Sequence, residues 1–196
     1  MSKISSTVTI GLVANPFSTR DIRRVISNAA SLQVSDRANI VMRVLSAIST
    51  CGVKRVLMMP ENGGISSFLK RDLLRKQQLG DNCFTELEMT KTPINGTVED
   101  TFASTKAMVD SGVKTIVILG GDGTHRAVAK VCGQVPIAGI STGTNNAFPE
   151  YREPTITGLA VGLAATGHIP ESVAFTLNKL LCVKINDGER SDIALV

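Results

Sequence analysis

Short apolar runs alternate along this chain with longer stretches whose apolar positions return every three or four residues. The runs at residues 8–14, 55–59, 84–89, 115–119 and 136–140 predict strands. Helical spacing predicts helices around residues 38–49 and 65–77, and another from about 97 to 110. Thr97-Val98-Glu99-Asp100 reads as an N-cap followed by an acidic first turn, and Ser111-Gly112 as the stop that follows. A further helix-like stretch, Arg126-Ala127-Val128-Ala129-Lys130-Val131, lies between the last two of these strands.

Such alternation predicts βαβ units. The expected fold is a three-layer, doubly wound α/β domain with a mostly parallel sheet and right-handed crossovers. The apolar, glycine-containing stretch at 156–167 is too short for a bilayer and reads as a packed helix. After it, strand-like runs at 180–185 and 192–196 flank Asn186-Asp187-Gly188, a hairpin signal. An isolated two-stranded hairpin is marginal in water. The expectation is therefore one α/β domain over residues 1–170, with residues 171–196 opening a second, β-rich domain. The hairpin edge leaves a homo-oligomer open as well.

Composition narrows the partners. Of the residues, 43% are hydrophobic and 19% charged, enough for one sizeable core in a chain of 196. Cys51, Cys83, Cys132 and Cys182 are scattered without a C-x-x-C pair and read as buried thiols. With a polar start at residues 1–6 and no leader signature, they predict a cytoplasmic protein. The net charge is +4, yet aromatics are only 4% and no basic run is interleaved with them, which argues against nucleic acid. Small anionic molecules are the expected partners. Arg20, Arg23 and Arg24 follow the first strand, whereas Lys70, Arg71, Arg75 and Lys76 read as a solvated helix face.

Chemistry concentrates in Gly120-Gly121-Asp122-Gly123-Thr124, which links an apolar strand to a helix. Glycines let a backbone turn and approach a ligand closely, and the free N–H groups of a helix start favour an anion. A carboxylate at that place, Asp122, needs a metal ion, a hydroxyl proton or a helix dipole to offset bound phosphate, and phosphoryl transfer supplies all three. A plain turn capped by Asp122 or Thr124 is the competing reading. A second small, polar loop, residues 141–149, follows the next strand. Parallel sheets bind ligands beyond the carboxyl ends of their strands, so both loops are expected at one site. Arg126 stands where a dinucleotide fingerprint needs its third glycine, and no Gly-Lys-Ser/Thr of a Walker loop exists. His125 reads as a solvated first-turn residue, His168 as a loop residue, and Met58-Met59 as strand core.

Residues 120–124 resemble the signature shared by the superfamily of NAD kinases, diacylglycerol kinases and sphingosine kinases. Gly143-Thr144-Asn145-Asn146-Ala147-Phe148-Pro149 resembles the Gly-Thr-x-Asn motif of its lipid kinases, and Asn15-Pro16 their Asn-Pro-x-Ser-Gly loop. Ala14-Asn15-Pro16, Arg20-Asp21-Ile22-Arg23-Arg24 and Gly143-Thr144-Asn145-Asn146 make the chain similar to ATP-NAD kinase-like proteins of the acetoin-catabolism protein X type. The resemblance implies that Asp122 is the general base, that Gly120, Gly121, Gly123 and Thr124 cradle phosphates, and that Gly143, Thr144, Asn145, Asn146 and Asn15 bind the nucleotide. It implies ATP with Mg2+ as the donor and NAD as the acceptor.

Two departures accompany it. Thr19 stands where the family's first loop has a glycine, and the β-rich acceptor domain is barely begun in these residues. Three readings follow: an NAD kinase, a kinase of lipids or other small alcohols, and a non-catalytic nucleotide-binding regulator. The chain taken alone is expected to be weakly active or inactive.

Overall fold

In the computed structural model, residues 7–16, 32–80, 85–142, 146–186 and 190–195 are described. Five strands, β1 (Thr9–Ala14), β2 (Arg55–Met58), β3 (Glu86–Met89), β4 (Ile116–Gly120) and β5 (Ile137–Ser141), pair in parallel in the order β3-β2-β1-β4-β5. The helices are α1 (Val34–Thr50), α2 (Ile65–Gln78), α3 (Val98–Asp110), α4 (Asp122–Val131) and α5 (Pro154–Ala165).

Strand side chains alternate between two cores, as the two-residue period requires. Ile10, Leu12, Val56, Met58, Val117, Leu119 and Ile140 join Val41, Leu45 and Ile48 of α1, Ile65 and Leu69 of α2, and Val161 of α5. Val13, Leu57, Met59, Ile116 and Ile118 pack on the other face against Met108 of α3 and Val128 of α4. The expected three layers are therefore present, with Met58 and Met59 buried in opposite cores.

Helix boundaries follow their caps. Thr97 is the N-cap of α3, and Gly112 follows its end at φ 72°, as the sequence predicts. Helix α1 starts four residues before the expected Ala38, because Gln33 is its cap and Asp36 accepts the Gln33 N–H at 3.1 Å. Glu153 caps α5 by accepting the Ile156 N–H at 2.7 Å. Gly158 lets α5 lie flush on α1, since a Cβ there would stand 2.7 Å from Ala47 Cβ and 2.9 Å from the Val44 carbonyl. Among the described residues no helix is long and apolar enough to cross a membrane.

After the short helix α6 (Glu171–Ala174), strands β6 (Leu180–Ile185) and β7 (Arg190–Leu195) pair antiparallel as a second sheet. Asp192 of β7 pairs with Arg126 and Lys130 of α4, each at 2.6 Å, while all six residues of β6 are exposed. That placement corrects one expectation, because Cys182 on β6 is an exposed thiol; Cys132 is buried, Cys51 half-buried, and Cys83 lies outside the described residues.

Candidate functional site

The sheet order places β1 and β4 side by side, although the chain runs from β1 out to β3 before returning to β4. At such a reversal the crossover loops of an open α/β sheet diverge, and the general rule puts the ligand crevice beyond the strand ends. Asn15-Pro16 leaves β1 there, and Gly121-Asp122 leaves β4 and enters α4. Asn15 Nδ2 donates to Thr124 Oγ1 at 3.2 Å, which joins the first loop to the glycine loop across the crevice.

A buried cation holds the first loop. Arg37, only 2% exposed, reaches from α1 and donates to the carbonyls of Asn15 at 3.2 Å and Pro16 at 2.6 Å. The β2 loop meets the same turn: Gly63 lies so close to Pro16 that a Cβ would stand 2.1 Å from the proline ring. Glu61 shapes that loop by accepting the N–H groups of Gly63 at 2.5 Å and Ser66 at 2.7 Å.

The second predicted loop is adjacent. Thr142 N–H donates to the Gly120 carbonyl at 3.2 Å, and the Asp122 carboxylate accepts the N–H groups of Ala147 at 2.9 Å and Phe148 at 3.0 Å. Asn146 Nδ2 donates to Ser141 Oγ at 2.6 Å and so braces the loop against β5. Asn15, Gly120, Gly121, Asp122, Gly123, Thr124 and Asn146 are thus brought together; Gly143, Thr144 and Asn145 lie outside the described residues. Thr19 lies outside them too, as do Arg20, Arg23 and Arg24.

The glycines act through space rather than through unusual dihedrals. Gly121 is extended at φ −99°, and neither Gly120 nor Gly123 has a positive φ. Gly120 is needed because a Cβ there would meet Thr124 Cβ at 2.7 Å, whereas Gly123 faces open space. The Gly121 carbonyl accepts the N–H groups of Thr124 at 3.0 Å and His125 at 3.2 Å. The N–H groups of Asp122 and Gly123 have no acceptor among the described residues, so the start of α4 offers two free donors and the positive end of its dipole.

His125 is not solvated, as expected from its first-turn position, but wholly buried. It faces β5, where Gly139 has no side chain to exclude it, and its ring stands 6.0 Å from that of Phe148. Burial holds its imidazole below the ordinary histidine pKa, against the opposing pull of Gly121 and Asp122. Arg37, Glu61 and His125 were invisible as site residues in the sequence. The Asn62-Gly63-Gly64 turn signal after β2, passed over in the sequence, is the local feature that could have marked that loop.

A glycine loop that opens a helix at the switch point of a parallel sheet is the arrangement of nucleotide-binding α/β domains. The chain belongs to the ATP-NAD kinase N-terminal domain family, which it matches over residues 10–169. Acetoin catabolism protein X of Cupriavidus necator is 55% identical over 190 residues, covering 95% of this chain and 53% of that relative. The chain therefore spans about half the length of the curated relative it matches. No solved structure matches it significantly.

Proposed function

We propose that this domain binds the phosphates of ATP at the start of α4 and serves phosphoryl transfer to a hydroxyl of a small molecule, with NAD as the acceptor. The observation that carries the reading is the convergence of three strand-end loops, tied by the Asn15–Thr124 and Asp122–Phe148 bonds, around two free amides. The Gly123 backbone, open where a Cβ would sit, suits an approaching phosphate. Family membership and the 55% identity to acetoin catabolism protein X support the same class.

Within this reading, the Asp122 and Gly123 amides bind phosphate oxygens, and Asn15 holds Thr124 at their side. Bound ATP with Mg2+ supplies the transferable phosphoryl group and the counter-charge. The Asp122 oxygens each accept one amide and retain lone-pair capacity, so this carboxylate can take the proton of an acceptor hydroxyl. Residues 171–196 are assigned to a second, β-rich unit, because β6 and β7 pair with each other and not with the main sheet.

One observation favours a second reading. Both Asp122 oxygens are engaged by backbone amides, an arrangement that also suits a loop clamp in a non-catalytic nucleotide-binding regulator. Assaying NADP formation from ATP and NAD separates the two, using this chain and one extended to the length of its relative. Activity in the extended chain, lost in Asp122→Asn, supports the kinase; ATP binding without turnover in both chains supports the regulator.

A further inference from the structure

We propose that His125 is a positioning residue: its ring fixes the Gly121–Asp122 peptide so that the Asp122 N–H faces the crevice. The inference rests on the phosphate-binding reading of that helix start. His125 Nδ1 stands 2.9 Å from the Gly121 carbonyl oxygen, which can only accept. The hydrogen therefore sits on Nδ1, and Nε2 is the bare nitrogen. A trans peptide is planar, with its C=O and N–H pointing in opposite directions. Because the Gly121 C=O is drawn into α4 by Thr124 N–H, His125 N–H and His125 Nδ1–H, the Asp122 N–H is turned outward.

The same ring braces the second loop. It fills the space over Gly139, where a Cβ would come within 2.5 Å of Nε2, and contacts Phe148, whose amide Asp122 holds. One side chain thus touches the glycine loop, β5 and the second loop. His125 Nε2 is buried without a partner, so a proton there has no acceptor and favours a ring withdrawn from the site. Asp122, on its own helix, is the charged group acting on the imidazole. Neither β5 nor residues 146–149 bring an ionisable side chain.

The test compares His125→Asn, whose short amide can reproduce the Nδ1 donor, with His125→Leu, which fills the space without one. ATP affinity is measured calorimetrically from about pH 5 to 8, spanning the histidine range. The parent is expected to lose affinity towards acid. His125→Asn is expected to bind within about threefold of the parent near neutral pH and to keep only the shallower decline that protonation of the ATP terminal phosphate imposes on every variant, while His125→Leu binds about tenfold more weakly, the scale of one hydrogen bond. Equal affinity in His125→Leu and the parent overturns the proposal, as does an acid decline as steep in His125→Asn as in the parent.

If the parent binds no ATP, the function reading fails instead. Hydrogen exchange at the Ala147 and Phe148 amides then decides the positioning role. Faster exchange in His125→Leu than in His125→Asn supports it, and equal exchange overturns it. The same arm decides should the leucine variant fail to fold: the asparagine variant must then keep the parent's exchange, and faster exchange overturns the proposal.

Discussion

The Phe148 backbone N–H donates to Asp122 Oδ1 at 3.0 Å, and the Ala147 N–H to the other oxygen at 2.9 Å. The carboxylate that a sequence reading assigns to proton transfer therefore also fastens the second loop to the first. Proton acceptance and loop placement cannot be removed separately.

Asp122→Asn is accordingly expected to impair both. An asparagine offers one oxygen, so its NH2 group confronts an N–H that the carboxylate accepted. The cost is about 1 kcal/mol of stability, with weaker ATP binding, and turnover in an active extended chain falls by roughly 10²-fold. Thermal unfolding and ATP titration check this; parent-like melting and affinity would contradict the clamp.

Arg37 offers a second test, on the loop that carries Asn15. Arg37→Met leaves the Asn15 and Pro16 carbonyls without their buried donor and is expected to cost about 2–4 kcal/mol. Urea unfolding measures the loss. A change well under about 1 kcal/mol would show that the loop stands without the arginine.

Much of the fold was legible because the central strands β1 and β4 read as nearly continuous apolar runs, which a parallel sheet buried on both faces requires, while the edge strand β3 alternates Glu86 and Glu88 with Leu87 and Met89. The two loops were legible because they are local in sequence. Their closure was not: Asn15 meets Thr124 109 residues away, and Arg37 meets Pro16 across 21 residues and an intervening stretch. The buried state of His125 depends on a missing side chain at Gly139, on the neighbouring strand β5. No spacing rule within α4 reports that. The early start of α1 was missed because glutamine is a less common cap than serine, threonine or aspartate.

The His125–Gly139 contact predicts a coupled pair. Gly139→Ala forces the ring aside and is expected to destabilise by about 1–3 kcal/mol, the usual cost of overpacking. Combined with His125→Ala, the added methyl should cost much less, because its obstacle is gone. A double-mutant cycle by denaturant unfolding reads the coupling; strictly additive losses would contradict the contact.

Acid should weaken the domain in a definite window. Burial lowers the folded-state pKa of His125, so below about pH 6.5 the unfolded chain binds a proton that the folded one resists. The contribution of His125 to stability is full above that value and declines as pH falls towards the folded pKa. His125→Asn should flatten this part of the profile. Chemical unfolding at a series of pH values checks it, and an unchanged profile in the variant would contradict the assignment.

The central claim is that the start of α4 receives phosphate, and amide chemical shifts measured during ATP titration test it most directly. Asp122 and Gly123 should shift first and furthest, followed by Asn15 and Thr124, with half-saturation below about 1 mM, the range of ordinary nucleotide sites. Absence of shifts at Asp122 and Gly123, or shifts confined to the basic face of α2 at Lys70, Arg71, Arg75 and Lys76, would contradict it.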